Sequence, residues 1–221
     1  MSLTGFRVNP APAVAPTSII SALENVVVPH LSDNLARSVG IVGLTRYNRT
    51  RKLIGTAFTV KCRPGDNLMI YKALTMLQPG HVLVVDGAGN AENALVGELI
   101  KLQAQASGCV GFVIDGAIRD VASFDDFPCY ARSVVHRGPY KDGPGELNVP
   151  VSVGGQIVSP GDIVVGDEDG VVCFPQSDAG ELMVLAAKHN EKEQAIQAEI
   201  ATGRRDQVWI KKILEAKGLV A

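Results

Sequence analysis

Three charged residues at two places in the chain could together act on a small anionic ligand. Gly97 and Glu98 open the bulk of a helix predicted over residues 91–107, and Arg119 and Asp120 stand side by side after a buried apolar run. Arginine can bind a carboxylate through two parallel hydrogen bonds. Asp120 could ligate a hard cation such as Mg²⁺, which takes one or two carboxylates and several waters. The pattern therefore predicts a site for a small, anionic, metal-chelating ligand such as a 2-oxo acid.

Two further acids end apolar runs in the same way. Asp86 and Asp115 each precede a glycine, in VVDG and VIDG. Open α/β sheets bind ligands at the carboxyl ends of parallel strands, so these acids could hold a cation or position a water. The alternative is that each acid caps the turn that follows it, as turn acids commonly do. Both roles stay open at this point.

The segment around these acids predicts the element that would position them. Residues 82–86 and 110–115 are short apolar runs without alternation. Residues 91–107 between them carry an apolar stripe at helical spacing, Leu95, Leu99, Leu102 and Ala106, which we call the leucine stripe, and Gly108 is placed to end the helix. Strands that are apolar on both faces are typical of parallel sheets. We therefore predict a parallel βαβ unit with a right-handed crossover.

The rest of the chain predicts further elements around that unit. Residues 1–18 are rich in proline and predict an arm that packs on the body or on a neighbour. Residues 128–175 are rich in Gly and Val, and their short β runs and turn residues are typical of antiparallel hairpins. Residues 178–200 predict a charged helix, and residues 206–217 a last short one. Because the apolar stripe of the long helix is thin, we expect residues 178–221 to meet another subunit.

Composition excludes several classes of protein. The chain has 221 residues, of which 46% are hydrophobic and 20% charged, which fits one large or two small globular domains. We expect a single domain over residues 1–221. Lys plus Arg is 21 and Asp plus Glu is 23, which gives no basic field for nucleic acid. No apolar run approaches the roughly 20 residues that cross a bilayer, and no signal peptide is visible. The cysteines form no CxxC pair, so we expect a reduced, cytoplasmic protein. Because no apolar run could span a bilayer, we expect no membrane partner.

Two stretches of the chain resemble a known family. The stretch GELIKLQAQASGCVGFVIDGAIRD (97–120) resembles the signature of the family that contains 4-hydroxy-4-methyl-2-oxoglutarate aldolases and regulators of ribonuclease activity A. The stretch PGDIVVGDEDGVVCFP (160–175) is similar to a second block of that family, and the resemblance extends over residues 20–215. It implies an α/β fold of the swivelling β/β/α type, like the phosphohistidine domain of pyruvate-phosphate dikinases, with a C-terminal helical extension. It also implies a homotrimer or homohexamer with sites between subunits.

The resemblance also implies roles for the charged residues. Arg119 would bind the pyruvyl group and stabilise the enolate oxygen, and Asp120 would ligate Mg²⁺ or Mn²⁺. Glu98 would hold a catalytic water, at a position where the family commonly has Asp. A glutamate of the neighbouring subunit, Glu193 or alternatively Glu191, would complete the metal shell through water.

The same resemblance implies a set of substrate-binding residues. Gly97 and Glu98 open the crossover helix, and the backbone of Leu99 and Ile100 would bind the substrate carboxylate next to Arg119. The distal part of the pocket would come from the arm, from the loop at 136–146 and from a second subunit.

The implied function is that of a lyase. It is a divalent-metal-dependent (class II) pyruvate aldolase that cleaves 4-hydroxy-4-methyl-2-oxoglutarate-type substrates, with oxaloacetate decarboxylase activity. Both reactions leave a pyruvate enolate, which needs a divalent cation and a fixed positive group near the developing oxyanion. No lysine in the sequence has a feature that would lower its pKa, so the metal route is favoured over an imine route.

Two other functions stay open. The first is a non-catalytic regulator that binds a ribonuclease; such relatives tend to lack the C-terminal glutamate, so Glu191 and Glu193 favour the enzyme. The second is a methyltransferase. The stretch DGAGNAENALVGE has Gly87 and Gly89 but places Glu92 where the third glycine of a dinucleotide loop would stand, which argues against such a cofactor.

Overall fold

The computed structural model describes residues 3–49, 51–203 and 208–219. The chain divides into two compact units, residues 1–186 and residues 187–221. Its strands are β1 (Thr45–Arg46), β2 (Leu53–Cys62), β3 (His81–Val96), β4 (Gly111–Ile118), β5 (Cys129–Val134), β6 (Gly145–Leu147), β7 (Val151–Val153), β8 (Gln156–Val158), β9 (Ile163–Asp167) and β10 (Gly170–Phe174). Its α-helices are α1 (Thr17–Leu23), α2 (Val28–Asn34), α3 (Leu68–Leu74), α4 (Glu98–Ala106), α5 (Ala179–Ala201) and α6 (Val208–Ala216).

Within the described residues, eight strands form one mixed sheet in the order β1-β5-β4-β3-β2-β9-β10, with β6 also paired to β2. Strands β2, β3, β4 and β5 run parallel to one another. Strand β2 pairs antiparallel with β9 and β6, β5 pairs antiparallel with β1, and β9 and β10 form an antiparallel hairpin. Strands β7 and β8 form a separate antiparallel pair. The predicted α/β class, with a parallel βαβ unit and a Gly- and Val-rich β half, is confirmed.

The prediction of helix across residues 91–107 is wrong in its first part. Strand β3 continues to Val96, and α4 begins only at Glu98. Two residues of the leucine stripe are in fact exposed, Leu99 by 70% and Leu102 by 50%. The helix buries Ile100 and Ala104 instead, so its core face differs from the stripe. Strand β3 continues through this irregular stretch by means of register shifts against β4. No local sequence pattern predicts these shifts.

An aromatic cluster holds the segment after β4 against the sheet. Phe124 lies at the end of a 3-10 turn, Val121–Phe124, that begins directly after Asp120. Its ring is fully buried, 6.2 Å from the ring of Phe112 on β4. Phe127 packs edge-on against Phe112 at 4.9 Å. This packing ties the chain on the far side of Asp120 to the core.

The start of the chain packs on β6. The backbone N–H of Asn9 donates to the carbonyl of Leu147 at 3.2 Å, and Arg7 forms an ion pair with the buried Glu146. The bond from Arg7 lowers the pKa of Glu146 to about 2. The arm therefore has specific contacts with the body of its own chain.

The two units share helix α5. Its residues Ala179, Leu182 and Ala186 are buried in the first unit. In the second unit, Trp209 and Ile213 of α6 are exposed. Among the described residues, no helix is long and apolar enough to span a membrane. The contact of these helices with a neighbouring subunit stays a prediction.

Candidate functional site

A cleft of about 150 Å³ opens where β3 and β4 end. Every site residue that was predicted to come from a single subunit lies in the wall of this cleft. The lining residues from this region are Gly97, Glu98, Leu99, Ile100, Arg119 and Asp120, and the others include Asn67, Tyr71, Pro139 and Lys141. The cleft is therefore at the carboxyl ends of two neighbouring parallel strands, where α/β sheets bind ligands.

The pairing of β3 with β4 brings the two halves of the site together. Val96 pairs with Ile118 at the last position of both strands. The backbone N–H of Arg119 then donates to the carbonyl of Val96 at 3.0 Å. One residue further, the backbone N–H of Glu98 donates to Oδ2 of Asp120 at 3.2 Å. Residues 22 positions apart thus become direct neighbours.

Gly97 is required by close packing. A Cβ atom at this position would lie 2.6 Å from Oδ2 of Asp120 and 3.0 Å from Cγ of Arg119. Its φ of −152° is ordinary extended backbone, so the need for glycine comes from space alone. Any side chain at position 97 would displace the Asp120 carboxylate.

Asp120 has an unusual backbone conformation. Its φ of 54° and ψ of 39° lie in the left-handed region, which Asp tolerates better than most residues. Nε of Arg119 is 3.7 Å from Oδ2, and both side chains are close to half-exposed. An exposed ion pair of this kind stabilises little, so the backbone hydrogen bond from Glu98 orients the carboxylate more strongly. Within the described chain Oδ1 of Asp120 has no hydrogen-bond partner.

The oxygen donors at this place fit a divalent cation. Glu98 and Asp120 both line the cleft and also a neighbouring depression of about 500 Å³. Both carboxylates are open to water, which Mg²⁺ keeps in its shell beside one or two protein ligands. Asp120, with one oxygen engaged by Glu98 and the other unengaged, is the better placed ligand.

The first turn of α4 offers backbone donors. The N–H groups at a helix start have no intrahelical acceptor. Here the N–H of Glu98 is used by Asp120, and that of Lys101 bonds to the carbonyl of Gly97. The N–H groups of Leu99 and Ile100 have no acceptor in the described residues, in keeping with their predicted role. That role stays a prediction.

The two glutamates that were predicted to assist the metal lie in the second unit. Glu191 and Glu193 are exposed on α5. A carboxylate oxygen of Glu193 lies 3.4 Å from Nε2 of His189, one helical turn earlier. Their contribution to a neighbouring subunit's site stays a prediction.

Asp86 and Asp115 stabilise turns and loops. Asp115 is buried, forms an ion pair with Arg132 and accepts the N–H of Gly154 at 3.0 Å. Asp86 accepts the N–H of Ala88 at 3.0 Å. These contacts favour the structural alternative over a cation site at these two acids.

The loop at residues 136–146 forms another wall of the cleft. Residues 136–146 were expected to line the distal pocket, and Pro139 and Lys141 do line the cleft. Buried Asp66 fixes this loop, since its Oδ2 accepts the N–H groups of Asp142 at 2.6 Å and Gly143 at 2.9 Å. In the sequence, Asp66 ends the stretch PGD at 64–66, which is typical of a turn.

We expect the Asp66 carboxylate to make the free energy of unfolding depend on pH in the acid range. Burial alone would raise the pKa of Asp66, but backbone N–H donors and Arg63 hold it below its ordinary value. A lowered folded pKa gives stability that is present above the unfolded pKa, near 4, and is lost as pH falls through the folded pKa. We expect Asp66→Asn to lose about 1–3 kcal/mol of unfolding free energy at pH 7, and this deficit to shrink below about pH 4.

Urea unfolding at pH 7 and pH 3 measures this deficit. Asp126→Asn, which changes an exposed aspartate, is the control and should unfold like the wild type at both values. A deficit for Asp66→Asn that is the same at both pH values would contradict the assignment of the lowered pKa.

Comparison with known proteins covers the same part of the chain. The Aldolase/RraA family model, described as RraA-like, matches residues 28–173, which include the whole cleft lining. A protein of Halalkalibacterium halodurans, named provisionally as a 4-hydroxy-4-methyl-2-oxoglutarate aldolase, is 35% identical over 168 residues, 73% of this chain and 80% of its own. An uncharacterised protein of Methanocaldococcus jannaschii is 34% identical over 189 residues, 84% of this chain and 90% of its own.

A solved structure agrees with these matches. Streptomyces coelicolor RraAS2, described as an unusual member of the RNase ES inhibitor RraA protein family, superposes with a TM-score of 0.75 at 26% identity. The match covers 84% of this chain and 99% of that one. Sequence and fold point to the same family, and the chain belongs to the RraA-like family of aldolases and RraA proteins.

Proposed function

We propose that this chain is a divalent-metal-dependent lyase that forms pyruvate from small 2-oxo acids. Its reactions are the cleavage of 4-hydroxy-4-methyl-2-oxoglutarate-type substrates and the decarboxylation of oxaloacetate. The observation that carries the proposal is the packing of Glu98, Arg119 and Asp120 around Gly97 in one cleft. The relative named as an aldolase supports the same class of reaction.

Asp120 is the residue that would hold Mg²⁺ or Mn²⁺. When bound, the cation supplies Lewis-acid polarisation of the 2-oxo acid oxygens. Glu193 or Glu191 of a neighbouring subunit would assist through water, which requires the proposed homotrimer or homohexamer. Light scattering on the purified protein measures that assembly state directly.

Arg119 stabilises the charge that develops during reaction. In both reactions a bond to C3 breaks and its electron pair delocalises onto the C2 oxygen. A guanidinium that donates to this oxygen lowers the barrier because the interaction strengthens as negative charge accumulates. The backbone N–H of Arg119 donates to the carbonyl of Val96, and this bond keeps Arg119 at the cleft.

Glu98 would act as the general base for the C4 hydroxyl. In the retro-aldol reaction the C4 hydroxyl loses its proton, the C3–C4 bond breaks, and C3 is protonated to give pyruvate. Glu98, through a water that it holds, accepts the hydroxyl proton, which is general base catalysis. The N–H groups of Leu99 and Ile100 hold the substrate carboxylate at the start of α4.

Pyruvate release tests this function. We expect the protein with Mg²⁺ or Mn²⁺ to release pyruvate from oxaloacetate and from 4-hydroxy-4-methyl-2-oxoglutarate, and EDTA to abolish both. Lactate dehydrogenase coupled to NADH oxidation measures the product. The metal without protein is the control, because divalent ions decarboxylate oxaloacetate in solution. Rates no higher than this background with both substrates would contradict the proposal.

A second candidate is a non-catalytic regulator that binds a ribonuclease. The likeness to RraAS2, described as belonging to an RNase inhibitor family, favours it. The presence of Glu191 and Glu193 favours the enzyme. Inhibition of a purified ribonuclease by the protein, together with absent pyruvate release, would establish the regulator instead.

A further inference from the structure

A lysine is buried behind the cleft without lining it. Lys101 is the fourth residue of α4, and only 7% of its surface is exposed. Its Nζ donates a hydrogen bond to the backbone carbonyl of Ser123 and lies 5.9 Å from the ring centroid of Phe124. Both partners are neutral, so no ion-pair attraction from them offsets the cost of taking the ammonium group out of water. For stability alone, an apolar side chain of similar size would serve as well.

The segment that Lys101 contacts carries the predicted metal ligand. The 3-10 turn Val121–Phe124 begins directly after Asp120. The backbone N–H of Ser123 donates to the carbonyl of Asp120 at 2.9 Å, and the carbonyl of Ser123 accepts the hydrogen bond from Lys101. Two successive hydrogen bonds thus connect the ammonium group with the backbone of Asp120.

Helix α4 holds this segment at two places. One turn before Lys101, the backbone N–H of Glu98 donates to Oδ2 of Asp120 at 3.2 Å. The φ of 54° at Asp120 is a conformation that costs free energy and persists only where neighbouring contacts maintain it. The bond from Glu98 fixes the side chain of Asp120, and the bond from Lys101 fixes the turn after it.

We propose that Lys101 is a positioning residue that keeps the carboxylate of Asp120 in place for a divalent cation. The inference rests on the proposed metal-dependent function and adds to it a residue that does not line the cleft. Lys101 contacts neither the cation nor the substrate. It acts through Ser123, whose turn maintains the backbone conformation of Asp120 and thereby its hydrogen bond with Glu98. A buried polar group that costs stability is expected where function requires it.

Mn²⁺ binding to the protein without substrate tests this role. We expect Lys101→Met to bind Mn²⁺ about tenfold or more weakly in calorimetry, because the removal of groups that orient metal ligands commonly has effects of this size. We expect the urea midpoint of the same variant to equal or exceed that of the wild type, because methionine removes a buried ammonium group. A merely structural role predicts the opposite, a lower midpoint with unchanged affinity.

Two control variants separate the position of Asp120 from general effects of charge and stability. Lys72→Met removes an exposed lysine of α3 that does not line the cleft, and it should bind Mn²⁺ like the wild type. Ala104→Gly destabilises α4 but keeps Lys101, and it should also retain wild-type affinity. If Lys101→Met unfolds at lower urea than expected, Ala104→Gly decides the question. Equal losses of affinity in these two variants would overturn the proposal, and a loss confined to Lys101→Met would support it.

Two other results would overturn the positioning role. A Lys101→Met affinity for Mn²⁺ within about twofold of the wild type would show that Asp120 is held without Lys101. Tighter binding of Mn²⁺ by this variant would show that the lysine acts on the cation only by charge repulsion.

The same titrations distinguish failure of this inference from failure of the lyase. Asp120→Asn identifies the site, since it should abolish the Mn²⁺ binding that the wild type shows. Mn²⁺ binding that depends on both Asp120 and Lys101, without pyruvate release, would support the positioning role and refute the lyase. Metal-dependent pyruvate release with unchanged affinity in Lys101→Met would refute the positioning role alone. Absence of Asp120-dependent binding in the wild type would also overturn the positioning role.

Discussion

We expect the replacement of Arg119 with methionine to lower kcat/KM for pyruvate release from oxaloacetate by about a thousandfold or more. Removing one donor to a developing oxyanion typically costs two to three orders of magnitude, and Arg119 also contributes positive charge. The guanidinium lies beside Asp120, at 3.7 Å from its carboxylate. Arg119→Lys should recover only part of the loss, because an ammonium group lacks the planar pair of donors.

Steady-state rates at saturating Mg²⁺ measure this effect, with background decarboxylation by the metal subtracted. Arg49→Met removes an exposed arginine that pairs with Asp125, and it should retain full activity. An Arg119→Met enzyme with more than about a tenth of wild-type kcat/KM would show that the oxyanion is stabilised elsewhere.

Adding a single methyl group at Gly97 should inactivate the enzyme without unfolding it. The Cβ atom of Gly97→Ala would lie 2.6 Å from Oδ2 of Asp120, so the carboxylate must move. The extended backbone at this position accepts alanine, and the fold should therefore persist. We expect a loss of about a hundredfold in kcat/KM, since small displacements at a reacting centre have effects of this size.

Affinity for Mn²⁺, followed by calorimetry, should weaken in parallel. Gly180→Ala is the matched control, because a Cβ atom there meets nothing within 4 Å and the residue lies in a helix. It should be fully active and at least as stable as the wild type. Wild-type activity in Gly97→Ala would mean that the position of Asp120 is unimportant for the reaction.

The grouping of the cleft residues could be predicted because it follows from strand order. Two apolar runs joined by a helix predict adjacent parallel strands, and residues after adjacent parallel strands meet at one edge. Glu98 and Asp120 are neighbours because β3 continues to Val96, which pairs with Ile118 at the end of β4. Local apolarity indicates the pairing of β3 with β4 well, but it did not predict this extension of β3.

The start of the crossover helix was predicted several residues too early, for a physical reason. Leucines at helical spacing indicate a helix only if they share a buried face, and Leu99 and Leu102 are exposed. Leu95 belongs to β3, where it is buried in the sheet. Leucines on both sides of a strand–helix boundary can have helical spacing by chance, and the pattern then predicts one continuous helix.

The loop wall of the cleft could not be derived from local sequence. Asp66 contacts Asp142 and Gly143 across more than 70 positions, and no periodic pattern links them. The need for glycine at position 97 was equally hidden, because it arises from a side chain 23 residues away and not from backbone conformation. Such long-range contacts depend on the assembled fold.

The most direct test of the account is a crystal structure with Mn²⁺ and oxalate, a stable mimic of the pyruvate enolate. The account predicts an anomalous manganese peak at coordination distance, roughly 2.1 Å, from a carboxylate oxygen of Asp120. It also predicts oxalate between that ion and the guanidinium of Arg119. Manganese or oxalate bound only outside this cleft would contradict the assignment of the site.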